Sequence, residues 1–268
     1  NVGGSYTATS ATTVSGGTAN FNPAGTVSSV GGSLTVSSGV ANFGSGEAID
    51  TTTLSFSGGT LSGTDTVTVS GLTTWTGGTM TASGTTNANG GISIDGTGNK
   101  DLTSSRILNT AGTTTWTGTG GVRVGTGAVI NNSGTWDCQS DATMSNPFGG
   151  TAAFNNTGTG TFKKSAGTGT STVSIPFSNT GSVQALAGTL QYTGAYTQTA
   201  GSTTLNGGTI ASTTSLSIQG GTLLGVGTAS GNVTNAGHVA PGFSPGALGI
   251  SGTYTQSSAG NFDVEIGG

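Results

Sequence analysis

The fold is decided by residues 109–181, in which an Asn that is followed closely by a Gly recurs four times. The four copies are Asn109-Thr110-Ala111-Gly112, Asn132-Ser133-Gly134, Asn156-Thr157-Gly158 and Asn179-Thr180-Gly181. Successive Asn residues are 23, 24 and 23 positions apart. Two further motifs recur at offsets of 22 and 19 positions: Ala19-Asn20-Phe21 with Ala41-Asn42-Phe43, and Gly58-Gly59-Thr60-Leu61 with Gly77-Gly78-Thr79-Met80.

A period of roughly 19–24 residues predicts one coil of a three-sided β-solenoid, with three short strands and three corners in each coil. Stacked coils lie about 4.8 Å apart. Asn stacks into amide ladders, Gly supplies positive φ at corners, and β-branched Thr suits the outward side of a strand. Parallel crossovers favour the right hand. The sequence therefore predicts an all-β, right-handed parallel β-helix of about a dozen coils, with residues 1–268 as a single repeat array.

Short alternating runs bounded by Gly or Asn predict the strands of each coil. Apolar residues do not recur at helical spacing, and the Gly, Thr and Ser content lowers helix propensity along nearly the whole chain. Clear examples are Ser33-Leu34-Thr35-Val36-Ser37, Thr66-Val67-Thr68-Val69-Ser70, Ile92-Ser93-Ile94, Gly121-Val122-Arg123-Val124 and Ser215-Leu216-Ser217-Ile218.

The composition is unusual for a globular domain and agrees with a solenoid. The 268 residues include 53 Gly, and only 5% are charged, against roughly 25% in an average soluble domain. At 31% hydrophobic residues, the chain has too little apolar material for one thick core and too much for a solvated tail. A solenoid needs only a thin line of apolar side chains from each coil.

Charge and cysteine content exclude several classes of function. The net charge is −4 and the five basic residues are scattered, so we expect no nucleic acid partner. No run of 18 apolar residues is present, so we expect no membrane insertion by this segment. Cys138 is the single cysteine, which leaves no internal disulfide and no zinc spacing. No cofactor is expected.

Three tryptophans follow the same repeat as the Asn residues. Trp116 follows Trp75 by 41 positions, about two coils, and Trp136 follows Trp116 by 20 positions, about one coil. They are predicted to form an aligned aromatic column, either inside the solenoid or along one face. Together with Asn109, Asn132, Asn156 and Asn179, they are the predicted structural repeat positions.

Catalytic chemistry on a β-helix needs clustered carboxylates, usually with a Lys or Arg nearby. The densest mixed group is Asp95, Lys100, Asp101 and Arg106, and it is expected to form a solvated loop with an ion pair between coils. Asp137 and Asp141 flank Cys138 without a metal-ligand pattern, and His238 is expected to be a surface side chain. The prediction is that the chain is not an enzyme, with no catalytic, cofactor-binding or metal-binding residues.

The C-terminal region carries a specific resemblance. Residues 220–249 read GGTLLGVGTASGNVTNAGHVAPGFSPGALG, and residues 250–256 read ISGTYTQ. This resembles the passenger-domain repeats of bacterial autotransporters and related secreted β-helical proteins, with residues 219–268 as the passenger-like repeat. The resemblance implies a right-handed parallel β-helix that is exported and displayed at the bacterial cell surface.

The expected function is therefore an extracellular structural or adhesive β-solenoid: a rigid surface stalk, or a subunit that stacks end to end into a filament. Neither Asn1-Val2-Gly3-Gly4 nor the last residues have the pattern of a cap that would cover an open coil. The expected partners are other copies of the chain, end to end or laterally, or glycans or proteins on host or neighbouring cells. The alternative is a carbohydrate-binding or carbohydrate-active β-helix of the lyase or glycosidase type.

Overall fold

A computed structural model describes residues 1–22, 25–242 and 246–264. These residues form 33 strands and no helix. The first eleven strands are β1 (Tyr6–Ala8), β2 (Ala11–Phe21), β3 (Val27–Val30), β4 (Ser33–Phe43), β5 (Ile49–Thr51), β6 (Thr53–Phe56), β7 (Thr60–Ser62), β8 (Thr66–Val69), β9 (Thr73–Trp75), β10 (Gly78–Met80) and β11 (Thr85–Ala88).

The next eleven are β12 (Ile92–Ile94), β13 (Lys100–Leu102), β14 (Ile107–Thr110), β15 (Thr113–Trp116), β16 (Val122–Val124), β17 (Ala128–Asn132), β18 (Thr135–Cys138), β19 (Thr143–Ser145), β20 (Ala152–Asn156), β21 (Thr161–Lys164) and β22 (Thr170–Val173). The last eleven are β23 (Phe177–Asn179), β24 (Ser182–Ala185), β25 (Thr189–Tyr192), β26 (Tyr196–Gln198), β27 (Ser202–Asn206), β28 (Thr209–Ile218), β29 (Thr222–Asn235), β30 (His238–Pro241), β31 (Leu248–Ile250), β32 (Tyr254–Gln256) and β33 (Asn261–Phe262).

Every strand pairing is parallel, and most strands pair with the strand three places before and three places after them. Three faces result. Face 1 contains β7, β10, β13, β16, β19, β22 and β25; face 2 contains β8, β11, β14, β17, β20, β23 and β26; face 3 contains β9, β12, β15, β18, β21, β24 and β27. The long strands β28 and β29 turn corners, since β28 pairs with both β25 and β26. The chain is a parallel β-solenoid of about 12 turns, as the repeat predicts.

One stacked position of face 3 can be followed through the whole solenoid. Thirteen residues occupy it in twelve steps, which at about 4.8 Å per step gives a length of roughly 58 Å. These residues are Thr12, Leu34, Leu54, Thr73, Ile92, Thr114, Trp136, Phe162, Val183, Thr203, Leu223, Val239 and Phe262.

The length of a coil varies along this stacked position. The shortest coil runs from Leu223 to Val239, and the longest runs from Trp136 to Phe162. The first is shorter and the second longer than the predicted period of roughly 19–24 residues. The strands keep their register while the corners between them change in length, because a corner faces solvent and tolerates extra residues.

The core is a thin line of side chains along the axis. Short strands alternate between buried and half-buried residues, as in Ile92–Ile94 and Thr66–Val69, so that each strand contributes one or two inward side chains. Burial of this line supplies the hydrophobic part of the stability, at roughly 25 cal/mol for each Å² of apolar surface removed from water.

Glycine is required where coils approach each other most closely. Gly63 has φ +103°, and a Cβ placed there would lie 1.7 Å from the carbonyl oxygen of Phe43 in the preceding coil. Any other residue at this corner would clash with backbone, because neither coil can move without breaking its strand hydrogen bonds.

Candidate functional site

An amide ladder lies inside the solenoid at the last inward position of face 2. We call Asn132, Asn156, Asn179 and Gln198 the inner amide ladder. Asn132 Nδ2 donates to Asn156 Oδ1 at 2.8 Å, Asn156 Nδ2 donates to Asn179 Oδ1 at 2.8 Å, and Asn179 Nδ2 donates to Gln198 Oε1 at 3.1 Å. All four side chains are buried. Each amide therefore ties its own coil to the next one from within.

The inner amide ladder also satisfies corner carbonyl groups. Asn156 Nδ2 donates to the carbonyl oxygens of Gly160 at 3.1 Å and Ser182 at 3.0 Å. Asn132 Nδ2 donates to the carbonyl oxygens of Gly134 and Thr161 in the same way. A buried carbonyl without a partner costs free energy, so these amides hold the corners as well as the stack.

Asn109 belongs to a different ladder from the one that its repeat spacing suggests. Strand pairing places Thr110, not Asn109, beside Asn132, and Asn109 pairs with Asn131. Asn109 is half-buried on the outward side of face 2. There each Nδ2 donates to the Oδ1 of the preceding coil, in the order Asn155, Asn131, Asn109 and Asn87, at 2.9, 2.9 and 2.8 Å. We call these four residues the outer amide ladder.

A shift of one residue explains the difference, because neighbouring residues of a strand point to opposite sides of the sheet. The consecutive pairs Asn131-Asn132 and Asn155-Asn156 are the sequence signal for two ladders. One member of each pair faces inward and the other faces outward.

The three tryptophans are all fully buried, inside the solenoid rather than along a surface. Trp75 and Trp116 occupy one stacked position of face 3, with Ile94 between them. Trp136 occupies the neighbouring inward position, beside Thr114 and Phe162, so it is not in the same column. Its ring meets Trp116 edge to face at 6.4 Å between centroids. The tryptophans thus form two adjacent columns instead of the single column predicted.

An aromatic cluster continues from Trp136 along the axis. Trp136 lies 5.2 Å from Phe154 in an edge-on arrangement, and Phe154 stacks on Phe177 at 5.0 Å. Phe177 in turn stacks on Tyr196 at 5.7 Å. Sequence spacing missed this cluster because its members come from different faces and meet only in the interior.

The predicted loop of Asp95, Lys100, Asp101 and Arg106 does not form a solvated charge cluster. Lys100 and Arg106 are fully buried, and Asp101 pairs with Arg123 of the next coil at 2.6 Å. Arg106 donates to Thr86 Oγ1 at 2.8 Å and to the carbonyl oxygen of Gly63 at 3.1 Å. Burial lowers the pKa of Arg106 to about 10 and also lowers the pKa of Lys100. The prediction was wrong because both cations point inward, Lys100 from strand β13 and Arg106 from the corner just before β14.

Two ion pairs join the coils around Cys138. Lys163 Nζ lies 3.4 Å from Asp137 Oδ2, and Lys164 Nζ lies 2.7 Å from Asp141 Oδ1. Lys164 is fully buried and also donates to Ser171 Oγ at 3.0 Å. The hydrogen bond from Lys164 lowers the pKa of Asp141. Lys164 therefore links neighbouring coils, because hydrogen-bond acceptors surround its ammonium group.

Burial raises the pKa of the Cys138 thiol to about 12, although the nearby Lys164 ammonium partly opposes the shift. An unfolded thiol ionises near pH 8.5. The folded chain therefore keeps a proton that the unfolded chain loses, and this contribution to stability is complete below about pH 8.5 and is lost as the pH rises toward 12.

We expect the wild-type chain to lose stability relative to a Cys138→Ala variant as the pH rises above about 8.5. The expected slope is about 1.4 kcal/mol for each pH unit between the two pKa values. Denaturant unfolding of both proteins from pH 7 to 10.5 measures the difference. A difference that does not change with pH would contradict the buried, protonated thiol.

His238 is half exposed, and its Nδ1 lies 3.8 Å from Asp263 Oδ2. Glu265 and residues 243–245 of the passenger-like motif lie outside the described residues. Within the described ranges, no three His, Cys, Asp or Glu residues come together in a way that could hold a metal ion. In the same part of the chain no helix is long and apolar enough to cross a membrane.

The geometry defines the class of this protein as a parallel β-solenoid with amide and aromatic ladders inside. No protein-family model, no curated protein and no solved structure matches the chain.

Proposed function

We propose that the chain is a rigid extracellular rod, a structural or adhesive stalk displayed at a bacterial surface in the manner of an autotransporter passenger. The observation that carries this proposal is the uninterrupted stacked position of thirteen residues on face 3, from Thr12 to Phe262. A fold that extends in one direction, with each coil contacting only its neighbours, suits a spacer better than a compact catalytic domain.

Side-chain contacts stiffen the rod beyond its backbone ladders. The inner and outer amide ladders overlap on β17 and β20 of face 2, where they lie on opposite sides of the strands, so these coils are tied from within and from outside. Aromatic stacking and the buried Lys164 add further links between coils. Bending at any coil would break several of these contacts at once, as in a cross-β spine.

The surface also supports an extracellular role. Three of the five basic side chains, Lys100, Arg106 and Lys164, are buried. Proteases that cleave after Lys or Arg therefore find few accessible sites, and strand hydrogen bonds protect the backbone around them. The resemblance of residues 219–268 to passenger repeats supports export and surface display by the same route.

Electron microscopy of the purified chain near physiological salt tests the rod. We expect discrete particles about 6 nm long, as twelve steps of about 4.8 Å require. Long fibres whose axis follows the solenoid would instead assign the chain to a filament. Rounded particles without a long axis would contradict both the rod and the filament.

Surface display needs a separate experiment on cells that produce the natural protein. Antibodies raised against the folded chain are expected to label intact, unpermeabilised cells, with a known cytoplasmic protein of those cells as the control. Labelling that appears only after permeabilisation would contradict the extracellular assignment while leaving the rod itself in place.

A further inference from the structure

One corner of the solenoid, between face 1 and face 2, differs from the others in its backbone. Ala82, Ser104, Ser105 and Thr126 have φ values of 63°, 57°, 61° and 51°, and they are the only non-glycine residues with positive φ among those that the structure describes. They stand on three successive coils, between β10 and β11, β13 and β14, and β16 and β17. A β-branched residue such as Thr126 rarely adopts this conformation. Strain of this kind clusters at ligand-binding and catalytic positions.

Hydrogen bonds between the coils hold these corners in place. Thr126 Oγ1 accepts from the backbone N–H of Ser104 at 2.6 Å, and the carbonyl oxygen of Thr126 accepts from the N–H of Ser105 at 3.0 Å. The N–H of Thr126 donates to the carbonyl oxygen of Gly149 in the coil beyond, at 2.8 Å. The strained backbone is thus fixed before any ligand arrives.

An aromatic side chain lies at the edge of this corner. Phe148 is 37% exposed, which is unusual in a chain whose other phenylalanines are mostly buried. Asn146 shapes its loop: the Oδ1 atom accepts from the N–H of Phe148 at 3.2 Å, and Nδ2 donates to the carbonyl oxygen of Gly150 at 2.9 Å. The guanidinium group of Arg123 lies 5.3 Å from the ring centroid, which further orients the ring.

An open cleft of about 390 Å³ lies between Phe148 and the strained corners. Its lining consists of one aromatic ring, one carboxylate and four hydroxyl groups, from Phe148, Asp101, Thr79, Thr103, Ser104 and Thr126. The volume falls within the range of about 300–1,000 Å³ typical of small-molecule sites, and an apolar wall with a few convergent polar groups is their usual chemistry.

Asp101 is held in position from behind by Arg123. Arg123 Nε donates to Asp101 Oδ1 and Nη2 donates to Asp101 Oδ2, each at 2.6 Å. These bonds use two of the five guanidinium N–H groups, and each carboxylate oxygen retains capacity to accept another hydrogen bond. The two charges compensate each other, so the cleft offers strong hydrogen-bonding groups without a net charge.

From this combination we infer that the cleft binds a neutral sugar residue of a glycan. The C–H face of a pyranose ring would pack on Phe148, while its hydroxyl groups would donate to Asp101 and exchange hydrogen bonds with the Thr and Ser hydroxyls. A phosphate or uronate is disfavoured because the Arg123 cation beside the cleft is already neutralised by Asp101. A purely apolar ligand would leave the carboxylate without water and without a new partner, which costs free energy.

Glycan binding is a function additional to that of the rod, since the cleft gives the stalk a place to hold a glycan. Its site lies on the side of the solenoid and does not depend on how the chain is anchored.

Saturation-transfer NMR with the full chain tests the proposal. The probes are hexasaccharides of glucose, mannose and galactose, with oligogalacturonate as a charged comparison. Inorganic phosphate, which has no carbon-bound protons to observe, is the second charged comparison and is measured by its competition with the bound sugar. We expect saturable transfer to at least one neutral hexasaccharide and stronger binding of that sugar than of either charged probe. Phe148→Ala is expected to weaken the binding by about tenfold or more, which corresponds to about 1.4 kcal/mol.

Two further variants keep the test independent of folding. Phe148→Tyr retains the aromatic face and is expected to bind within about threefold of the wild-type chain, since no ring contact is lost. Leu72→Ala removes an apolar side chain that is 48% exposed at another corner, and is expected to leave binding unchanged. The circular dichroism spectrum and the melting temperature are measured for every variant. Binding is compared only among variants that match the wild-type chain in both. The proposal is overturned if no neutral sugar binds, if a charged probe binds more tightly, or if Phe148→Ala binds as well as Leu72→Ala.

Discussion

Replacing Trp136 with Ala is expected to lower the free energy of unfolding by about 3–5 kcal/mol, because deleting a large buried ring leaves a cavity. Trp136 is fully buried, and its ring contacts Trp116, Phe154 and Phe162. The core at each coil is only a few side chains thick, and the strands on either side are fixed by their ladders. The cavity left by the indole therefore has little chance to collapse. Equilibrium unfolding in guanidinium chloride measures the loss.

Trp136→Phe is the matched control, since it keeps a ring at the same position. The buried indole N–H of Trp136 has no oxygen or nitrogen acceptor among the described residues and faces the Cys138 sulfur, a weak acceptor, so Trp136→Phe gives up little hydrogen bonding. We expect Trp136→Phe to lower the free energy of unfolding by about 1–2 kcal/mol. By contrast, Trp116 Nε1 donates to the carbonyl oxygen of Gly120 at 3.3 Å, so Trp116→Phe also breaks a hydrogen bond. If Trp136→Ala and Trp136→Phe lowered the free energy of unfolding by the same small amount, the thin core would not be the main source of stability at this coil.

Asn156→Leu is expected to lower the free energy of unfolding by about 3–5 kcal/mol, although leucine has a similar size and is more apolar. The two N–H groups of Asn156 Nδ2 are shared among three acceptor oxygens, and Asn156 Oδ1 accepts one hydrogen bond from Asn132. Each net hydrogen bond contributes about 1 kcal/mol, and buried partners left without one add to the loss. Guanidinium unfolding gives the magnitude, and hydrogen exchange at the amides of residues 157–161 and 179–182 shows whether the opening is local to the neighbouring coils.

Asn155→Leu provides the comparison for this prediction. Asn155 is the preceding residue of the same strand, belongs to the outer amide ladder, and donates to Asn131 Oδ1 at 2.9 Å from a half-buried position. Water can replace that partner, so a loss of about 1 kcal/mol or less is expected. Equal losses for the two variants would contradict the argument that the inner amide ladder holds the coils together.

Much of the inner structure was readable from the alternation of residues. In Ile92–Ile94 the two Ile residues face inward and Ser93 faces outward, as the pattern predicts. The repeat spacing placed Asn132, Asn156 and Asn179 at equivalent points of successive coils, and strand pairing sets each of them beside the next. Period-two alternation is a local property, so it can be read without knowledge of the neighbouring coil.

Contacts between coils were predicted less well. Asn109 was assigned to the ladder of Asn132, and the tryptophans were assigned to a single column. Both differences are small shifts in the register between neighbouring coils. This register depends on the number of residues in each corner, and the corner boundaries cannot be read from the sequence alone. The cleft beside Phe148 was not predicted at all, because its residues come from four successive coils that lie far apart along the chain.

The class of the fold follows from the repeat, since a repeat of about 20 residues that is rich in Gly, Thr and Asn can bury its apolar side chains only by stacking parallel coils. Which polar groups enter the interior depends instead on how residues distant along the chain meet in the folded solenoid. The buried Lys100 donates to the carbonyl oxygen of Gly96 in its own coil at 3.4 Å. Arg106 and Lys164 are buried because acceptors from other coils, the carbonyl oxygen of Gly63 for Arg106 and the carboxylate of Asp141 for Lys164, lie where each cation points. Buried charge is tolerated only with such partners, and those partners are set by the register between coils, which no single repeat contains.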